Sequence, residues 1–486
     1  MAPRSKLPED WVVRLVPVEI WRRIFEFIAS SSEPFDPAGI LHIIRCFHVC
    51  STWRSITDNF PELWTNVALE FDRTGDEHCF PNEKLLALIL RKSRTLPLTM
   101  GLVATAYPKF RTANGMKALE LFLRTIHRAR LLKLDSRVLD TIWEDTDPNL
   151  LAEFELQVQP APLLERLVLG KKEPEDDNFV DRAVSLLWKP APLLRTLSFS
   201  DSFVGYATDQ SLTSTDFPFH QITSLEFNCP LSLAAIGRFL PLMPSLVTAV
   251  FNRIYEDTNQ TCKPIEFPLL QTLSLYDQYR NAEFEYEILP VMATLKFIAS
   301  PVLASLRLSF DDDWDQDAWL TFVEAPSLEI QHLHFDITCL LGSDLRESYL
   351  AMCISMLPCL HTLDLSFRKV GSARNRTGRD LMSKGFPDSM RELDEGGQFK
   401  LCPLLEKLTI DYDSLSDTTT AVFADMIGAR LRRSGQGGFA LVVKEADKLG
   451  DAPKSHSEMI RLLLLRRAGL KLTIEPSIWL EDLFDY

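Results

Sequence analysis

Pro192-Leu-Leu-Arg-Thr-Leu-Ser-Phe199 returns with small changes as Pro268-Leu-Leu-Gln-Thr-Leu-Ser-Leu275, and the same frame recurs along most of the chain. Further copies start at Pro162, Pro244, Pro301, Pro358 and Pro403, and longer ones at Pro218 and Pro326. Successive prolines stand between 24 residues (Pro244 to Pro268) and 45 residues (Pro358 to Pro403) apart. Each copy ends in Leu-x-Leu or a near equivalent, the alternation of a short strand. The proline stops whatever helix comes before it. Between copies lie helix candidates such as Phe179–Leu187 and Leu231–Leu240. One unit therefore reads helix, turn, short strand. Strands that follow one another in this one-way order pair in parallel. Leu167, Leu197, Leu273, Leu306, Leu363 and Leu408 share one position of the frame, so they are expected to form a buried ladder.

The core Leu-x-x-Leu-x-Leu resembles a leucine-rich repeat, whose period runs at roughly 20–29 residues. The resemblance implies stacked units with a parallel sheet on one wall and helices on the other, a curved solenoid. This chain departs from the standard pattern. The regular Asn or Cys after the strand is missing and the spacing is uneven, so an irregular solenoid is expected. Residues 68–158 read as degenerate first units. Leu85–Leu90 and Met116–Ile126 are helix candidates, Leu96–Val103 and Ala129–Leu134 are strands, and Asp147–Leu156 is a further degenerate unit. At the other end, helices at Val422–Leu431 and Glu458–Arg467 each lead into a strand, at Phe439–Val443 and Leu470–Ile474. Such closing pairs cover the last open face of a repeat array.

The first 67 residues are of another kind. Val16-Pro-Val-Glu-Ile-Trp-Arg-Arg-Ile-Phe-Glu-Phe-Ile28 carries Ile20, Trp21, Ile24, Phe25 and Ile28 at helical spacing, with Glu19, Arg22, Arg23 and Glu26 opposite. Pro17 suits a helix start. Ser30–Pro37 breaks the helix, Gly39–Cys50 reads as a second, and Thr52–Asn59 as a third. So small a segment cannot bury three such apolar helices by itself, and part of its surface must meet the rest of the chain or a partner. The run Pro-x-Glu-Ile (Pro17–Ile20), Val-Cys-x-x-Trp (Val49–Trp53) and Pro-x-Leu-Trp (Pro61–Trp64) resembles an F-box. In that family this module docks on a Skp-type adaptor of cullin–RING ubiquitin ligases. The resemblance implies adaptor-binding roles for Pro17, Ile20, Ile24, Val49 and Trp53, with Trp64 at the module's end. An insertion around Ser30–Asp36 is the departure from the family's pattern.

The expected fold is thus α/β: a three-helix F-box-like module (residues 1–67), a linking region with degenerate repeats (68–158), and an irregular leucine-rich-repeat-like solenoid (159–486). Composition agrees with a globular protein, nearly half hydrophobic and about a quarter charged. A formal net charge of −15 argues against general nucleic-acid binding. The N-terminus has no apolar core of the signal-peptide kind. The longest apolar stretch, Leu231–Phe251, contains Arg238, Pro241 and Pro244 and reads as a buried helix and strand rather than a bilayer span. Nine scattered cysteines without a secretory signal read as reduced thiols. A cytoplasmic or nuclear location is expected.

No motif for a nucleotide, a dinucleotide, a zinc peptidase or a serine hydrolase occurs, so no catalytic residue and no cofactor is assigned. His332 and His334, with Cys359 and His361 one unit later, are the nearest approach to a metal site. No paired Cys-x-x-Cys supports it, and no metal is assigned. The acidic run Asp311–Asp317 and the basic segment Arg368–Lys384, followed by Pro387–Gly397, read as loops, each either solvated or facing a partner of opposite sign. The function implied is that of a substrate receptor in a Skp–cullin–F-box ubiquitin ligase. The module would hold the adaptor, and through it a cullin, and the solenoid a protein substrate. The alternative is a repeat scaffold with no role in ubiquitin transfer, its first helices serving only as a cap.

Overall fold

The computed structural model describes residues 16–30, 35–71, 79–104, 113–135, 138, 160–170, 191–200, 217–229, 231–255, 264–276, 291–310, 314–324, 329–338, 347–368, 385–411, 420–433, 438–444 and 456–474. They are mixed α/β and fall into two compact units, Met1–Cys229 and Pro230–Tyr486. The first unit opens with helices α1 (Val18–Ser30), α2 (Pro37–Val49) and α3 (Ser51–Asn59). Six strands follow: β1 (Asn66–Phe71), β2 (Leu98–Ala104), β3 (Ala129–Asp135), β4 (Arg166–Gly170), β5 (Thr196–Ser200) and β6 (Ser224–Phe227). Each pairs in parallel with the next. Helices α4 (Glu83–Lys92) and α5 (Ala113–Thr125) precede β2 and β3.

The second unit contains β7 (Thr248–Asn252), β8 (Thr272–Tyr276), β9 (Ser305–Phe310), β10 (His332–Thr338), β11 (Thr362–Arg368), β12 (Lys407–Asp411), β13 (Ala440–Lys444) and β14 (Lys471–Ile474). These too are parallel and adjacent in chain order. Helix α6 (Leu233–Phe239) precedes β7, and α7 (Val291–Leu295), α8 (Gln316–Val323), α9 (Glu347–Ser355), α10 (Gly385–Arg391), α11 (Thr420–Arg433) and α12 (His456–Arg467) lie between the strands that follow. No helix among the described residues is long and apolar enough to cross a membrane.

All nine proline frames end in a strand, β4 to β12. The turn explains why. A proline at the second position of a four-residue turn presets its backbone angle. The N–H three residues past the turn's first carbonyl then closes the turn. Leu164 donates to Ala161 at 3.0 Å, Leu194 to Ala191 at 3.2 Å, and Leu360 to Leu357 at 3.2 Å. The next N–H reaches the preceding unit: Glu165 donates to the Arg130 carbonyl at 2.7 Å and Arg195 to Glu165 at 2.9 Å. The second unit repeats this, with Gln331 donating to Ala304 at 2.8 Å and His361 to Gln331 at 2.8 Å. The strand therefore starts in register with its neighbour.

The alternation then sorts the side chains. Leu167, Leu197, Leu273, Leu306, Leu363 and Leu408 are all buried, as the shared frame position requires. In the second unit Leu273, Leu306, Leu333, Leu363 and Leu408 stand in successive register. One step along, Leu275, Leu308, Phe335, Leu365 and Ile410 form a second buried row. Trp314 and Trp319 pack on Phe335, with ring centroids 5.9 and 5.8 Å away. In the first unit Phe199 stacks on Phe227 at 4.5 Å.

Three local expectations are corrected. Leu231–Leu240 is not helical throughout, because Leu231–Ser232 first pairs with Ile254–Tyr255. The acidic run does not stay loop to its end: Asp315 caps α8, accepting from the Ala318 N–H at 2.9 Å, and Asp317 lies in the first turn. Asp311–Asp313 lie outside the described residues. Pro387–Gly397 is also more ordered than a loop, since Pro387 sits buried in the first turn of α10. Buried Arg430 of α11 holds this segment, donating to the carbonyls of Met390 at 2.8 Å, Leu401 at 2.6 Å and Cys402 at 2.9 Å. Burial lowers its pKa to about 10, so it remains charged at neutral pH. Phe179–Leu187, Asp147–Leu156 and most of the basic segment, from 369 to 384, lie outside the described residues.

Leu306 touches neighbours in both ladders and is fully buried. Leu306→Ala is expected to cost about 2–5 kcal/mol, read as a lower urea midpoint with the slope unchanged.

Candidate functional site

Helix α1 carries two apolar stripes side by side. With about 3.6 residues per turn, Trp21, Phe25 and Ile28 fall on one stripe and Pro17, Ile20, Ile24 and Phe27 on its neighbour. The Pro17 carbonyl starts the helix, accepting from Ile20 at 3.0 Å and Trp21 at 3.3 Å. On the polar back, Arg22 pairs with Glu26 at 2.7 Å and lies over the Phe60 ring. The first stripe turns inward. Trp21 and Phe25 hold the Trp53 ring of α3 at centroid distances of 4.9 and 5.1 Å. The second stripe faces out. Pro17 is exposed, Ile20 is 47% and Ile24 39% accessible, and Phe27 is exposed as well.

The other helices are fixed locally. Asp36 caps α2 by accepting from the Ala38 N–H at 2.7 Å, with Pro37 in the first position. Gly39, Ile40, Ile43 and Cys46 bury one face of α2, which lies against α3 and β1. Cys50 caps α3 through its sulfur. Trp64 is buried, with its indole N–H on the Thr57 carbonyl at 2.9 Å. Val49 ends α2 and is 59% accessible.

The five residues singled out in the sequence therefore divide. Pro17, Ile20 and Ile24 share one exposed stripe, Val49 is exposed at the end of α2, and Trp53 is half-buried inside the helical cluster. Trp53 thus acts by holding α1 and α3 together. Phe27 was not singled out, although its spacing from Ile20 and Ile24 carries the signal.

The attachment of these helices was also missed. Phe35, in the insertion ahead of α2, has a φ of 82° and sits over Gly101 of β2. A Cβ at Gly101 would lie 2.8 Å from the Phe35 Cβ, so only glycine leaves room. The Lys133 ammonium lies 5.8 Å from the Phe35 ring. A second tie is the ion pair of Asp58, in α3, with Lys92 of α4.

The histidine cluster has another explanation. His334 and Asp364, on adjacent strands in register, meet at 3.0 Å. Lys444 reaches the same carboxylate at 2.9 Å and the Ser366 hydroxyl at 3.2 Å. Burial by itself would raise the Asp364 pKa, but the hydrogen bonds and charges of His334 and Lys444 outweigh it and bring it to about 2. His361 approaches Glu406 instead, at 3.7 Å. Among the described residues no group of three or more His, Cys, Asp or Glu is placed to hold a metal ion.

The chain matches no family model, and no curated protein matches it. The reading of the site thus stands on the residues and their geometry.

Two outcomes follow from these contacts. Gly101→Val places a branched side chain against the Phe35 Cβ and ring and is expected to lower the melting temperature, and Phe35→Gly in the same chain, which removes that Cβ, should recover part of the loss. The Asp364 carboxyl lies below its ordinary value of about 4, so its contribution to stability is present above that pH and lost as pH falls towards 2. Urea titrations of wild type and Asp364→Asn should differ by about 2 kcal/mol at pH 6 and converge as pH approaches 2.

Proposed function

We propose that this protein is the substrate-recognition subunit of a Skp–cullin–F-box ubiquitin ligase. The observation that carries the reading is the outward stripe of α1. Pro17, Ile20 and Ile24 are apolar, in one row and exposed, while the neighbouring row is used up in the helical cluster. Contiguous exposed apolar surface of a few hundred Å² marks an interaction site on a soluble protein. The sequence motifs of Pro17–Ile20, Val49–Trp53 and Pro61–Trp64 supply the kind of partner, a Skp-type adaptor and through it a cullin.

In this role the chain does no bond chemistry. The helices fix one end to the ligase and the leucine-rich-repeat-like strand array holds a substrate. The gain is the effective concentration of substrate near the ubiquitin-loaded enzyme. Parallel strands suit this task, because each repeat buries one side-chain row and leaves the alternate row for recognition.

The scaffold reading draws on a different observation. Trp53, Trp64 and the α2 face against β1 are committed to internal packing, as in a cap. Adaptor capture separates the two. The purified full chain is expected to retain a recombinant Skp-type adaptor in a pull-down. Ile20→Glu with Ile24→Glu should weaken that capture at least tenfold while leaving the melting temperature and circular dichroism unchanged. Capture by this variant at wild-type strength, or none by the wild type, would overturn the receptor reading.

A further inference from the structure

The alternate row of the first unit carries a groove of about 610 Å³. Its floor is one residue from each of four consecutive strands: Thr99, Leu131, Arg166 and Thr196, all in register. Its rim is the residue just ahead of three of those positions, Arg130, Glu165 and Arg195, with Leu193 from the proline turn beside them. Three arginines thus face one glutamate, in a chain whose formal net charge is −15.

The arginines are only partly satisfied. Arg130 gives its Nε–H to Glu165 at 2.7 Å and is otherwise exposed. The ladder slips by one residue between Leu98 and Thr99, so Arg130 has no partner on β2. Such irregularities re-aim a side chain and gather next to functional sites. Arg166 uses one amino group on Glu226 at 3.2 Å, and its Nε–H is buried without an acceptor. Glu226 is occupied further by Ser198 at 3.1 Å and Asn228 at 3.0 Å. Arg195 donates only to the carbonyls of Pro192 at 3.1 Å and Leu194 at 3.0 Å. It has no acidic partner among the described residues. Five N–H donors per guanidinium leave most of these groups open to an oxyanion.

Leu193 adds an apolar element. It is 45% accessible, at the frame position where Leu163, Leu269, Val302 and Leu404 are also exposed. The core therefore does not account for a leucine there. Beside the arginines it offers a contact to an apolar side chain.

We propose that this groove binds an extended protein segment that presents acidic side chains, carboxylate or phosphoryl, and an apolar side chain on one face. Three strand-to-strand steps span about 14 Å, the length of about four extended residues. Acidic groups at alternate positions of that segment point to one side, towards Arg130, Arg166 and Arg195. The apolar residue follows in the same row, two positions from an acidic one, and meets Leu193. Elsewhere the net negative chain repels such a segment, so the groove selects it over neutral ones. This assignment names the substrate class for the receptor reading and rests on that reading only in calling the segment a substrate.

The test is fluorescence polarisation of the full chain with three labelled peptides. One carries Glu, Glu and Leu at alternate positions with serine between them, the second has phosphoserine for Glu, and the third has Gln for Glu. The Gln peptide is expected to bind at least tenfold more weakly than the better acidic one, and added salt should narrow the gap. Tighter binding of the phosphoserine peptide assigns a phosphoryl ligand, and tighter binding of the Glu peptide a carboxylate. Arg130→Ala with Arg195→Ala should weaken the acidic peptide about tenfold, whereas lysine at both positions should keep most of the affinity if the chain folds normally. Equal binding of the Gln and acidic peptides, no loss in the double alanine variant, or no binding at all would overturn the proposal. The Ile20→Glu, Ile24→Glu variant should bind the peptide as the wild type does, so failure of adaptor capture and failure of the groove are read separately.

Discussion

Most of the proline-framed strands start from one backbone hydrogen bond made a residue before the strand begins. The N–H of Glu165, Arg195, Gln331 or His361 meets the carbonyl at the same place in the preceding unit. A parallel sheet has no hairpin to set its register, so something else must. Here the proline turn does it, by closing on itself and presenting the next N–H to the neighbour. Once register is fixed, alternation decides the rest: a slip of one residue would turn every buried leucine outward. The side-chain rows, the polar outer network and the groove all inherit their positions from that turn.

This explains what was legible in the sequence. The frame Pro-Leu-Leu-x-x-Leu-x-Leu encodes turn, register and inward row in eight residues, so strands such as Thr196–Ser200 and Thr272–Tyr276 stand where the frame puts them. Elements without a frame were harder. Strand β1, Asn66–Phe71, alternates Val67, Leu69 and Phe71 but has no proline header and follows directly on the helical segment, which hides it. The pairs Leu231–Ser232 and Ile265–Glu266 are too short for any period to register. The start of α8 was masked by its own cap, because a run of aspartates reads as loop until one of them is seen to accept from a helix N–H.

The candidate site was legible in part for a related reason. Spacing along α1 identifies an apolar face but not how wide a face its neighbours cover. Coverage is a tertiary fact, set by Trp53 reaching Trp21 and Phe25 and stopping there. It divides a single wide face into a packed row and an open one. The fit of Phe35 over Gly101 is further from local signals still. Two residues 66 positions apart meet because one has no side chain and the other adopts a positive φ, and neither fact is periodic.

The outer sheet rows of the two units handle charge differently. In the second unit His334 and Lys444 converge on Asp364, and their mutual compensation holds the carboxylate ionised. The ion pairs are satisfied around that carboxylate, while His334 Nε2 and the Nε of Arg307, in register one strand away, are buried without an acceptor or donor partner. In the first unit Arg166 is balanced by Glu226 and Arg130 by Glu165, whereas Arg195 has only carbonyls. Unbalanced charge on a surface row costs little while water solvates it and gains energy when an oxyanion replaces that water. The proposed groove therefore lies in the unit that also carries the exposed stripe of α1.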